Sequence, residues 1–131
     1  MNQLPQEVLE AWEKRDPTCV LTTVSLNGTP NTIYVSCCGL VDGTRILICN
    51  SAFRKTLENL KSGPGLANFL FFAPGLAAYQ LKGRIWHHSK GARFEEGKAF
   101  AKPELPLHGI AEIVITEAYK GAEPLRLELG S

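Results

Sequence analysis

The chain has 131 residues, 44% of them hydrophobic, which is most simply one domain with a core that needs no disulfide or metal to hold it. Its formal net charge of +1 and pI near 7.7 supply no electrostatic attraction for nucleic acid or an anionic membrane. The longest apolar runs, 66–72 and 110–115, are strand length, and the first residues lack the charged-then-apolar layout of a signal peptide, so a cytosolic protein is expected.

Leu4 to Arg15 is predicted helical, with Pro5 suited to the first position and Leu4, Val8, Leu9 and Trp12 forming one apolar stripe. Asp16-Pro17 stops it. Thr18 to Ser25 is rich in β-branched residues and reads as a strand; Asn27-Gly28 is a hairpin signal, so Thr29 to Leu40 returns antiparallel. Asp42-Gly43 marks a second turn of that kind before a third strand, Arg45 to Cys49, giving a meander.

A helix is then predicted over Ser51–Lys61, opened by Ser51 as a cap and ended by Ser62-Gly63-Pro64-Gly65. Leu66 to Phe72 and Leu76 to His88 are the fourth and fifth strands, and Ser89 to Ala101 a short helix carrying Phe94 and Phe100, interrupted or ended near Gly97. Lys102 to Leu107 is a proline-containing loop, and Ile110 to Tyr119 the sixth strand. After Lys120, the alternation of Leu125, Leu127 and Leu129 suits an edge strand or an arm, while the closing Gly130-Ser131 adds nothing to the pattern. Six antiparallel strands at this length close naturally into a small barrel, a mainly β fold with short helices.

Chemistry is sparse. The four cysteines, Cys19, Cys37, Cys38 and Cys49, form no C-x-x-C pair and have no zinc-type spacing with histidine; they read as buried small hydrophobes. Cys37 and Cys38 point to opposite faces if they share a strand, which argues against a joint role. There is no G-x-S-x-G elbow, no P-loop and no G-x-G-x-x-G after a strand. His87 and His88 are adjacent, so only one can face a given pocket, and Glu95-Glu96 reads as a solvated helix face.

The stretch that does offer chemistry is Asn50–Lys61. Ser51 at the helix start, with Arg54, Lys55 and Thr56 in the first turn, would aim backbone N–H groups, two cations and a hydroxyl at one anion. The same residues also describe a short solvated connecting helix. A phosphate site without a catalytic side-chain set suggests a phosphorylated cofactor that carries the chemistry itself.

The order of these pieces resembles the FMN-binding split β-barrel family, which includes pyridoxamine 5′-phosphate oxidases and small FMN-binding proteins of anaerobic bacteria. The resemblance rests on the Asn-Gly turn, Pro30-Asn31-Thr32-Ile33-Tyr34-Val35-Ser36, Asp42-Gly43 and Arg54-Lys55-Thr56 with Asn59-Leu60. It continues through Tyr79-Gln80-Leu81-Lys82-Gly83-Arg84 and Phe94-Glu95-Glu96, so that it runs from about residue 4 to 119. It implies a six-stranded antiparallel split β-barrel that forms a homodimer with FMN near the interface. By position, Arg54, Lys55 and Thr56 would hold the phosphate with Ser51 or Asn50 nearby, and Thr32, Ile33, Tyr34 and Val35 would line the isoalloxazine, largely through backbone groups. Gln80 and Lys82, on one strand face, would reach the cofactor of the same or the partner subunit. Tyr34 suits an ordinary cross-strand aromatic equally well. Longer oxidases of the family carry a C-terminal segment with substrate-binding arginine and histidine, and nothing comparable follows the sixth strand here. The expectation is therefore an FMN flavoprotein, either an oxidoreductase or an electron carrier serving a small substrate or redox partner. The alternative is a non-enzymatic module of the same fold holding a deazaflavin, another phosphorylated ligand or a haem-related one.

Overall fold

In a computed structural model, which describes residues 2–129, the apolar stripe of the N-terminal segment forms α1 (Gln6–Glu13), and the β-branched runs form strands. After the two-residue strand β1 (Asn2–Gln3) and α1 come β2 (Cys19–Val24), β3 (Pro30–Val35), β4 (Cys38–Val41) and β5 (Arg45–Asn50). Then follow α2 (Lys55–Ser62), β6 (Leu66–Ala73), β7 (Ala77–His88), α3 (Ala92–Gly97), a single 3₁₀ turn (Lys98–Phe100) and β8 (Gly109–Lys120). The tail supplies β9 (Glu123–Leu125), paired with β8, and β10 (Glu128–Leu129), paired with β1. Gly130 and Ser131 lie outside the described residues.

The main sheet runs β3-β2-β6-β7-β8-β5-β4 and is antiparallel throughout. Its two edge strands, β3 and β4, are consecutive in the chain and separated only by Ser36 and Cys37. The three Cα steps from Val35 to Cys38 span at most about 11 Å, so the sheet must curl until its edges come together there. Counted that way, the predicted second strand, 29–40, is one strand bent at Ser36-Cys37. Its first half pairs with β2 and its second with β5. The six predicted strands are all present, and this bend is what makes them a split barrel.

Turn chemistry follows the sequence. Asp42 and Gly43 both take left-handed φ, 57° and 65°, the conformation that a type I′ turn requires. A register shift in the β7–β8 pair falls at Lys82/Gly83, where a Cβ on Gly83 would lie 2.0 Å from the Val114 carbonyl oxygen. Only glycine fits that bulge.

Leu21, Ile46, Ile48, Phe69, Phe71, Leu81 and Ile113 fill the barrel and are fully buried or nearly so. α1 stops one end: Trp12 lies 5.5 Å from Phe69 and 5.2 Å edge-on to Phe71, centroid to centroid. A second apolar layer of Leu47, Cys49, Cys37 and Ile110 lies outside β5, covered by Phe94, Phe100 and Leu107 of the α3 region. β5 is therefore buried on both faces. Phe100 reaches β4 because Gly39 has no Cβ, which would otherwise sit 2.1 Å from the ring. Arg45, 4% exposed, fixes the far end of this layer through ion pairs to Asp42 (2.7 Å), Glu112 (3.0 Å) and Glu96 (3.3 Å).

Trp12 carries the aromatic stack that closes the barrel end. Trp12→Ala is expected to lower unfolding free energy by about 3–5 kcal/mol in urea titration, and Trp12→Phe by clearly less, because phenylalanine keeps the contact with Phe71.

Candidate functional site

The bend that closes the barrel also opens a cleft of about 340 Å³ on its outer side. β3 supplies Ile33, Tyr34 and Val35; the bend supplies Ser36 and Cys37; the segment leaving β5 supplies Ser51, Ala52 and Phe53. β3 is a sheet edge, hydrogen-bonded to β2 on one side only, so backbone N–H and C=O groups remain available along its other side. Side chains alternate: Ile33 and Val35 turn toward the core, while Tyr34, 80% exposed, turns outward and Thr32 bonds Thr22 across the outer face (2.9 Å).

The helix after β5 starts later than its sequence suggests. Ser51 is not its cap. The first helical residue is Lys55, Arg54 occupies the cap position, and no side chain caps the helix. Asn50 explains the delay. Its Oδ1 accepts the Phe53 N–H (2.9 Å) and its carbonyl accepts the His108 N–H (2.8 Å), which holds residues 50–53 as a turn. The helix is then pinned to β2 and β3 by two amides. Asn59 Nδ2 donates to the buried Thr23 hydroxyl (3.0 Å), and Asn31 Nδ2 donates to the Thr56 hydroxyl (3.2 Å).

The candidate residues thus fall into four groups, with Thr32 left on the outer face against Thr22. Ile33, Tyr34, Val35 and Ser51 share the cleft. Arg54 and Lys55 are exposed at the uncapped helix start, where Lys55 pairs with Glu58 (3.1 Å) and borders a neighbouring open hollow of about 580 Å³. Thr56 and Asn50 are buried supports at 1% exposure, the Thr56 hydroxyl keeping its own O–H available to donate. Gln80 and Lys82 lie apart, on the outer face of β7, where Gln80 accepts from Asn68 (2.7 Å) and Lys82 sits 4.9 Å from the Tyr119 ring centroid. Three strand spacings, about 14 Å along the sheet, separate β7 from β3.

Cys37, Cys49, Phe53 and Leu105 also line the cleft, and the sequence alone did not single out their positions. His87 does not line the cleft, but it supports the turn that follows β5 through Asn50. Because Asn50 Oδ1 is already occupied, its Nδ2 donates to His87 Nε2 (3.0 Å), which makes the ring the neutral, Nδ1-protonated tautomer. Burial, then the charges of Lys61 and His88, hold His87 below its ordinary pKa. The ring fits only because Gly109 has no Cβ, which would lie 2.5 Å from it.

Residues 4–120 match the family model described as Pyridoxamine 5′-phosphate oxidase. The chain belongs to the pyridoxamine 5′-phosphate oxidase family. No match was found among curated proteins. Among solved structures, the chain is similar to HupZ from Group A Streptococcus, at 18% identity and TM-score 0.79, covering 98% of this chain and 100% of that one. It is also similar to an FMN-binding protein from Syntrophomonas wolfei (20% identity, TM-score 0.64, 92% of each chain). HutZ, the heme storage protein from Vibrio cholerae, is a further neighbour (13% identity, TM-score 0.61, 90% of this chain and 94% of that one). These likenesses show the fold that the family name implies, a curled antiparallel split barrel. Among the described residues no helix is long and apolar enough to cross a membrane.

The His87 bond predicts a pH dependence in this family member. A histidine whose pKa is depressed by folding binds fewer protons folded than unfolded, so stability is complete above the ordinary value of 6.5 and falls as pH drops below it. The urea midpoint of the wild type should therefore drop between pH 7.5 and 5.5 by more than that of His87→Gln. Parallel decreases would show that the Asn50–His87 bond carries no such linkage.

Proposed function

We propose that the chain is an FMN-binding flavoprotein that takes the cofactor in the cleft beside β3, with its phosphate at the start of α2. The observation that carries this reading is the uncapped first turn of α2, with Arg54 and Lys55 exposed beside it, immediately after the cleft-lining residues Ser51–Phe53. Unsatisfied first-turn N–H groups, a helix dipole and two cations make an anion site that no side chain among the described residues caps. The residues fit the rest of the group as well. Ile33, Val35 and Phe53 offer an apolar wall, and the unpaired edge of β3 offers donors and acceptors in line for the polar edge of a planar ring.

In this reading Lys55 exchanges Glu58 for the phosphate, Arg54 shares the charge, and the Thr56 hydroxyl donates from below while Asn31 holds it in place. Asn50 and His87 keep residues 50–53 in the turn that presents Ser51. Bound flavin supplies hydride or electron exchange with a small substrate or redox partner; the protein binds it, orients it and keeps water from one face. A second copy of the chain would pack on the outer sheet face, where Tyr34 and Phe72 are 80% and 50% exposed, bringing Gln80 and Lys82 to the partner's cofactor. That arrangement accounts for the separation of these two residues from the rest of the site within one chain.

A haem-related ligand is the second reading, favoured by the fold shared with HutZ, named a heme storage protein, and by the exposed His108 three residues from the cleft-lining Leu105. The absorption spectrum separates the two, since flavin bands support FMN and a haem Soret band supports the alternative.

If the phosphate sits at α2, Lys55→Ala should weaken FMN binding by about 1.5–3 kcal/mol, the range for a charge-assisted hydrogen bond, read by flavin fluorescence titration. An unchanged affinity would remove Lys55 from the site.

A further inference from the structure

The hollow beside Lys55 is larger than the cleft, about 580 Å³ against about 340 Å³, and FMN placed with its phosphate at α2 makes no use of it. It lies between the β2–β3 turn and one face of α2, with Lys55, Glu58 and Asn59 on the helix side and Leu26 and Asn27 on the turn side. Cleft, helix start and hollow follow one another along β3. Ile33, Tyr34 and Val35 border the cleft, Asn31 holds the Thr56 hydroxyl at the helix start, and Thr29 borders the hollow. At 3.3 Å per residue, the path from Ile33 to Thr29 is about 13 Å. A ligand lying along this edge with its phosphate at α2 would run on into the hollow.

The polar groups bordering the hollow are only half used within the chain. Asn59 is 3% exposed; its Nδ2 donates to Thr23 (3.0 Å), while its Oδ1 receives no donor among the described residues. A nearly buried acceptor in that state is stabilised by a donor from a ligand. Next to it, the Glu58 carboxylate accepts from Lys55 (3.1 Å), the pairing that a phosphate on Lys55 would release. On the turn side, Asn27 Oδ1 is engaged by the Ser25 hydroxyl and the Thr29 N–H, which leaves Asn27 Nδ2 without an acceptor among the described residues. Leu26, 80% exposed, adds an apolar face. Two acceptors at consecutive helix positions suit a pair of neighbouring hydroxyls; an amide donor beside an apolar side chain suits the edge and face of a base.

We propose that the hollow is a subsite for a ribonucleoside joined to the cofactor through its phosphate, so that the chain holds the dinucleotide FAD more tightly than FMN. The inference rests on the phosphate lying at the start of α2. The two phosphates of FAD meet Arg54 and Lys55, the ribose hydroxyls donate to the Glu58 carboxylate and Asn59 Oδ1, and Asn27 Nδ2 donates to a ring nitrogen of the base, which lies against Leu26. Glu58 then acts in opposite directions on the two ligands. Toward FMN it only competes for Lys55; toward FAD it exchanges that pairing for the ribose.

Isothermal titration of the full chain with FAD and with FMN tests this in the wild type, Glu58→Gln and Lys55→Ala. The Glu58 side chain is 68% exposed, so its replacement removes no core contact. The wild type should bind one FAD per chain about tenfold more tightly than FMN. Glu58→Gln should tighten FMN and weaken FAD, and Lys55→Ala should weaken both. FAD no tighter than FMN in a chain whose FMN affinity falls with Lys55→Ala, or a Glu58→Gln change of the same sign for both ligands, would overturn the nucleoside subsite and leave the phosphate site standing. Affinities that ignore Lys55→Ala, or no binding of either flavin, would overturn the phosphate placement and the subsite with it.

Discussion

The bend at Ser36-Cys37 is the constraint on which the rest of the molecule depends. A strand that pairs with β2 before the bend and with β5 after it forces the two edges of the sheet together. Closure buries the aromatic and aliphatic interior under Trp12 and leaves β3 as an edge facing the cleft. It also sends Cys37 and Cys38 to opposite layers. Gly39, just beyond, lets the Phe100 ring cover the outer layer, so that β5 lies between two cores. A chain without the bend would be an open sheet with neither a closed interior nor a cleft.

The local polar contacts around α2 do a different job. Asn50, Asn31, Asn59, Thr56 and Thr23 are all uncharged, and four of them are nearly fully buried. Their hydrogen bonds place the helix start without using any charged group, so Arg54 and Lys55 stay at the surface. The charged residues that are buried, Arg45 and Glu112, satisfy one another in a separate network under α3. Structural ion pairing and the candidate anion site are therefore spatially distinct.

Much of this was legible in the sequence. All six strands, the Asp42-Gly43 turn and the Trp12 stripe follow from periodicity and turn chemistry, which are local. The break in the second strand was not, because 29–40 is continuously strand-forming and the break is imposed by closure with β5, a long-range demand. Serine is a good cap, so the sequence points to a helix start at Ser51. Asn50 one residue earlier captured the Phe53 N–H instead, and the helix began at Lys55. The tail's leucine alternation was informative: Leu125 and Leu127 pack on the core as β9 joins β8, while Leu129 is 91% exposed beside β1. At the site, residue types pointed to an anion at α2, but grouping needed the fold. Cys37, Cys49 and Leu105 reach the cleft only through the bend and the covering loop, and no sequence pattern joins them.

The proposed cofactor pose sets the phosphate at α2 and the ring it belongs to against the edge of β3. Isothermal titration of the same protein with FMN and with riboflavin, which has the ring and no phosphate, tests it most directly. With the phosphate at α2, FMN should bind at least tenfold more tightly, and raising salt should narrow the difference. Equal affinities for the two, or no binding of either, would contradict it.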